Sequence, residues 1–189
     1  MKHISHTELI HNHMAIPWHH LCQIENPPIT EATLPEKASI IGRTGLMLLS
    51  CGTGAWRVRS SMNTLARTMG ITCTADVGLV SIEYTCIDKQ ETFSQTLCLT
   101  TTGVNTAKLS ELENFVLAFP SKYALETSEH IHKFLDHIEH RPGHYTPPCL
   151  GLAAAVACSA FTFLLGGGPI EMLCAFFGAG IGNWLRATL

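Results

Sequence analysis

The sequence predicts an α+β domain, helices packed on a small antiparallel sheet, followed by an all-α transmembrane hairpin. Apolar residues recur at helical spacing between positions 36 and 70 and again between 105 and 140. The stretch between those blocks alternates with period two, as a strand buried on one face does. No charged residue occurs from Pro147 to Ile170, and Met172 to Leu185 is uncharged as well. The expected organisation is a His- and Pro-containing tail over residues 1–35, a mixed domain over 36–146 and two membrane helices over 147–189. At 189 residues the chain holds one ordinary domain and a small appendage.

Residues 1–35 contain His3, His6, His11, His13, His19 and His20 with Pro17, Pro27, Pro28 and Pro35, and no sustained periodicity. They read as a tail or a loosely packed lead-in, and the histidine spacings fit no defined metal site. From Glu36, Ile41, Gly45, Leu48 and Leu49 form one helical face, which Gly52-Thr53-Gly54 ends. The next helix places Val58, Met62, Leu65, Ala66 and Met69 on a stripe and stops at Gly70. Val80, Ile82, Tyr84 and Cys86 then alternate with Ser81, Glu83 and Thr85. After a turn at Asp88-Lys89-Gln90, Phe93, Leu97 and Leu99 share a face, so two antiparallel strands are expected. Asn105 caps a helix through Leu109, Leu112, Val116 and Phe119 that Pro120 ends. A last helix of this domain uses Ile131, Phe134, Leu135 and Ile138.

Charge and cysteine usage narrow the function class. Only 14% of residues are charged, against roughly 25% in a typical soluble domain, and the mean hydropathy is +0.19. Twelve Lys and Arg against fifteen Asp and Glu give a net charge of −3, which offers no field for nucleic acid. The eight cysteines never form a C-x-x-C pair, so reduced, mostly buried thiols are expected rather than zinc or disulfides. Gly52 and Gly54 fall short of a dinucleotide fingerprint, because Arg57 stands where its third glycine belongs and no strand precedes them. Glu129, His132, Asp136 and His140 form a polar stripe that could build a metal or proton-handling triad. The reading favoured is the wet side of an amphipathic helix. No catalytic residue, metal site or cofactor is expected.

The two apolar stretches read as a hairpin in a bilayer. Cys149 to Leu165, if helical, spans about 26 Å, and the following glycines extend it to the roughly 30 Å of a hydrocarbon core. Gly178, Gly180 and Gly182 are small residues of the kind through which membrane helices approach closely. Arg141 and Arg186 flank the pair, whereas the turn from Gly166 to Glu171 carries no cation. That bias places both ends in the cytoplasm and the turn outside.

An amphipathic helix, then "SCGTGAWRVRSSMNTLARTMGI", strands ending in "SQTLCLTTTGVN", a helix "KLSELENFV" and an apolar pair joined at "GGGPIE" carry a resemblance. Over residues 36–189 the chain resembles the N-terminal domain and first membrane spans of the threonine/serine exporter family, which includes two-component relatives implicated in succinate export. Gly54, Ala55, Arg57 and Val58 are its most specific part. The resemblance implies a multi-pass inner-membrane exporter of small polar metabolites, with its N-terminal domain in the cytoplasm. It implies membrane lipid, a small-molecule acid substrate, and either a second small membrane subunit or a homo-oligomer as partners. Gly54, Arg57 and Arg59 become candidates for a partner-binding or structural motif, beside the plainer reading of Arg57, Arg59 and Arg67 as a solvated face. Glu171, the one acid beside the helix break, is the candidate for a substrate or proton pathway, its alternative being a hydrated turn residue. Two departures stand out: Thr101-Thr102-Gly103 replaces a Thr-Arg pair common in relatives, and the family's membrane part continues for several further helices. A truncated, membrane-anchored interaction module that does not transport is therefore the rival expectation.

Overall fold

The computed structural model describes residues 16–22, 27–89, 91–100, 102–141 and 145–188. It divides into two compact units, Met1–His140 and Arg141–Leu189. His3, His6, His11 and His13, with Gln90 and Thr101 of the motifs above, lie outside the described residues.

The first unit is built around helix α1, Leu34–Ser50. It starts two residues before the periodicity suggests, because Thr33 and Glu36 form a capping box: the Thr33 hydroxyl lies 2.8 Å and its N–H 3.1 Å from Glu36 Oε2. Fourteen of its seventeen residues are buried, so α1 is a central element rather than a surface helix. Close approach is possible because Gly42 and Gly45 lack side chains. A β-carbon at Gly42 would lie 2.6 Å from Tyr84 Cζ, and one at Gly45 would lie 2.7 Å from Met62 Sδ. Helix α2, Ala55–Thr68, buries Val58, Met62, Leu65 and Ala66 as the spacing predicts. Gly70, at φ +73°, ends it: its N–H bonds the Arg67 carbonyl at 3.2 Å, and the Ile71 N–H bonds that of Ala66 at 3.0 Å.

Three strands follow, where two were expected. They are β1 (Thr72–Val77), β2 (Ser81–Asp88) and β3 (Glu91–Cys98), paired antiparallel in that order with Cys73 opposite Cys86 and Ile82 opposite Leu97. The additional strand, β1, offers only Cys73, Ala75 and Val77 to the core side, too short and too weakly apolar an alternation to declare itself. Val80, expected to point inward, precedes β2 and is exposed. One sheet face packs on α1 and α2; the other carries exposed Thr and Glu side chains.

Helix α3, Thr106–Ala118, opens with Asn105 Oδ1 accepting the Lys108 N–H at 3.0 Å. Pro120 does not end the helical path as expected. A single wide π-type turn over Phe119–Tyr123 accommodates it, closed by the Ala124 N–H on the Phe119 carbonyl at 3.0 Å. Helix α4, Ser128–Glu139, completes the unit. Phe115, Phe119, Tyr123 and Phe134 stack together beneath it. Ile29, in the stretch read as lead-in, is fully buried, and its N–H bonds the Glu126 carbonyl at 2.8 Å. Upstream, Trp18–Leu21 forms one 3-10 turn.

The second unit is a pair of helices, α5 (Pro147–Leu164) and α6 (Pro169–Thr188). Gly166, at φ +88°, closes α5: its N–H bonds the Phe163 carbonyl at 3.0 Å, and the Gly167 N–H bonds that of Thr162 at 2.9 Å. The helices meet through small residues. A β-carbon at Gly180 would come 3.0 Å from Ala155 Cβ, and one at Gly151 would come 3.0 Å from the Gly180 carbonyl oxygen. Asn183 Nδ2 donates to the Leu150 carbonyl at 2.9 Å. Among the described residues α5 is the one helix long and apolar enough to cross a membrane. Helix α6, whose hydropathy is diluted by Glu171, Asn183 and Arg186, falls short of that measure.

Candidate functional site

Arg43 projects from the middle of α1 with a side chain only 3% exposed. A buried guanidinium is costly unless several partners hold it, and α4 supplies them. Its Nη2 donates to Asp136 Oδ1 at 2.5 Å and to Glu139 Oε2 at 2.6 Å. Nη1 lies 3.3 Å from His132 Nδ1 and 3.2 Å from the His132 carbonyl. A guanidinium N–H can only donate, so Nδ1 is the acceptor and the His132 proton sits on Nε2, 3.0 Å from Ser39 Oγ. The Ser39 hydroxyl donates onward to the Glu36 carbonyl at 2.7 Å. Arg43 Nε and Thr44 Oγ1 are buried without hydrogen-bond partners among the described residues.

His132 corrects the expectation of a wet stripe, since it is fully buried. Burial, then the charges of Arg43 and His19, push its pKa down to about 3 against the opposing pull of Asp136, so it stays neutral in ordinary conditions. At Asp136, partial desolvation works upward, but the hydrogen bonds from Arg43 and then His19 outweigh it and hold the carboxyl below its usual range. His19 Nε2 sits 2.8 Å from Asp136 Oδ2, and the Trp18 ring stacks on His132 at 6.3 Å. The rest of the stripe does other work: Glu129 pairs with Lys133 at 2.7 Å, and His140 Nδ1 lies 2.9 Å from the Asp136 carbonyl.

Beside this cluster lies a cavity of about 580 Å³ between the 3-10 turn, α1, the end of β3, α3 and α4. Arg43, Asp136 and Glu139 form its charged wall, and Lys108 faces them from α3. Lys108 Nζ donates to the Glu139 carbonyl at 2.5 Å. Leu46, Met47, Leu99 and Leu112 make the apolar side. Helical periodicity gave no warning of Arg43, because a helix buried all round has no polar face on which a functional cation would stand out.

The residues singled out by motif lie elsewhere. Gly54 is the exposed N-cap of α2, where a β-carbon would meet only the Trp56 ring at 3.4 Å. Arg57 lies over the Trp56 ring and bonds Glu113 Oε1 at 3.0 Å. Arg59 and Arg67 are exposed. None of them lines the cavity. Glu171 is exposed in the first turn of α6, with its carboxylate folded toward Gly168, where a β-carbon would lie 2.8 Å from Oε2. No group of three or more potential ligands that could hold a metal ion occurs among the described residues, and the eight cysteines are free thiols. Against the expectation that most are buried, only Cys51, Cys73 and Cys86 are; Cys22 is partly covered, and Cys98, Cys149, Cys158 and Cys174 are exposed.

The family described as "Putative threonine/serine exporter" matches residues 39–189, which takes in α1 from Ser39, the sheet, Arg43, His132, Asp136 and Glu139 of the charged cluster, and both apolar helices. No curated protein and no solved structure matches the chain. With most of its length under that match, including the apolar helix able to span a bilayer, the chain belongs to the threonine/serine exporter family of membrane transporters.

Proposed function

We propose that this chain is a component of an inner-membrane exporter that moves small polar metabolites outward, threonine and serine or dicarboxylates such as succinate. The observation that carries this reading is the family match running without interruption from the mixed unit through α5 and α6. In the proposed arrangement α6 is a second span beside α5, supported by its uncharged stretch from Met172 to Leu185 and its close approach to α5 at Gly180, whereas Gly178 and Gly182 face away from the seam. Arg141 and Arg186 keep both ends, and the mixed unit with them, in the cytoplasm. Two helices side by side enclose no polar pathway. Further helices beside them complete it, with a second small membrane subunit or other copies among their sources. Glu171, beside the break at Gly166-Gly167-Gly168-Pro169, then faces the pathway.

Export assays test the reading. With the complete assembly in cells, Glu171→Gln should abolish metabolite efflux while insertion and assembly persist; unchanged efflux across a pH series would remove Glu171 from the pathway. Failure of the chain to support export with any co-expressed membrane partner would favour the anchored interaction module. Orientation is read by impermeant thiol labelling. Cysteine placed at Gly167 should react from outside and Cys98, which is exposed, should not; the buried Cys51 and Cys86 are silent on either side.

A further inference from the structure

The cavity beside Arg43 carries more than a structural ion cluster. Asp136 has both oxygens engaged, Oδ1 by Arg43 and Oδ2 by His19. Glu139 is bound to Arg43 through Oε2, and no partner is found for its Oε1 among the described residues. Lys108 spends one of its three N–H donors on the Glu139 carbonyl. The lining therefore holds an open carboxylate oxygen on Glu139 and, on the α3 side, the Lys108 ammonium with donors to spare. The permanently charged side chains lining the space are two cations, Arg43 and Lys108, and two anions, Asp136 and Glu139, with the imidazoles of His19, on Asp136, and His20 beside them. The permanent charges cancel, so the site offers no net attraction to a dianion or a dication. A molecule that carries both an ammonium and a carboxylate can satisfy both ends at once.

We propose that this cavity is a binding site for a free α-amino acid, its ammonium on Glu139 Oε1 and its carboxylate on Lys108. The apolar wall offered by the partly accessible Leu46 and Leu99 receives the aliphatic part of the side chain. About 580 Å³ holds such a molecule together with several waters. Glu139 is the last residue of α4, where the mixed unit ends. Occupancy thus fastens the end of α4 to α3 at the boundary before the apolar helices. The choice of probe rests on the exporter reading, but the site itself does not, because its occupancy is measured without transport.

Equilibrium dialysis of the full-length protein in detergent micelles against radiolabelled L-threonine tests the site. Saturable binding is expected, displaced by unlabelled L-threonine and at least about tenfold less well by acetate, ethylamine or succinate, each of which satisfies one end only. Lys108→Met and Glu139→Gln should each weaken binding at least about tenfold. Lys108→Arg should retain binding, as should Lys133→Gln on the exposed side of α4. Helical content by circular dichroism, unchanged in Lys108→Met, separates loss of the site from loss of the fold. Absence of saturable binding, or displacement by succinate as effective as by L-threonine, overturns the proposal. Binding indifferent to both Lys108→Met and Glu139→Gln places the ligand elsewhere and overturns it equally. Because efflux is scored separately, an exporter without this site and a site without export give different results.

Discussion

In the first unit Phe115, Phe119 and Leu65 are buried, whereas in the second Phe161, Phe163 and Leu173 lie on the outside of a helix pair whose seam is Gly151, Ala155 and Gly180. The side chains are of one kind and their placement is reversed. In water, burying apolar area is the main driving force, so the mixed unit gathers its aromatic rings inside. In the hydrocarbon proposed for the helix pair that force between helices would vanish, and close backbone contact through small residues would take over. Polar groups follow the same division. The mixed unit buries Arg43 and His132 behind a set of partners, while the helix pair uses one side-chain amide, Asn183, across its seam.

The largest test of this contrast compares two phenylalanines. Phe115→Ala should destabilise the mixed unit by about 3–5 kcal/mol through the cavity it leaves in the aromatic cluster. Phe161→Ala should change the stability of the helix pair by less than about 0.5 kcal/mol. Chemical denaturation in micelles, followed by near-ultraviolet circular dichroism for the first unit and by helicity for the second, reads both. Equal costs would break the comparison.

Removing the buried cation comes next. Arg43→Ala should cost about 2–3 kcal/mol, below the full penalty for a broken buried pair because Asp136 and Glu139 reach water. The same cluster makes stability depend on pH. His132 has a pKa near 3 when folded against 6.5 for an ordinary histidine, so between those values the unfolded chain binds more protons. Stability should fall as pH drops through that window. The lowered pKa of Asp136 adds to the loss, since its carboxylate stabilises the fold above its unfolded pKa and stops doing so as pH falls through the folded one. Denaturation midpoints over a pH series should show the slope, and His132→Gln should flatten it.

At the helix seam the effect is smaller and geometric. Gly180→Leu should force α5 and α6 apart at a cost of about 1–3 kcal/mol, seen as a longer spacing between spin labels at Ala154 and Ala179. Gly182→Leu, where a β-carbon meets nothing within 4 Å, should leave the spacing unchanged. Asn105→Ala is the mildest change. Losing the cap on the Lys108 N–H should cost about 1 kcal/mol in thermal or denaturant unfolding.

Local pattern alone specified most of the elements. Periodicities of 3.6 and 2 placed α1 to α4, β2 and β3, and uncharged length placed α5 and α6, because each of these signals is carried by neighbours within one or two turns. The strand β1 escaped, its three small inward residues giving too little contrast against its polar ones. The charged cluster escaped for a different reason. His132 and Asp136 stand on what helical spacing marks as a polar face, and Arg43 stands inside an apolar run, so neither position announces a site. Only the packing of α1 against α4, joining residues 93 apart in the chain, removes water from His132 and sets Arg43 between two carboxylates. Desolvation depends on what covers a side chain, and that cover comes from distant sequence. The residue types and their spacing were therefore enough to determine most of the segments that become helix, strand or apolar helix, while the tertiary structure decided which polar groups are buried together.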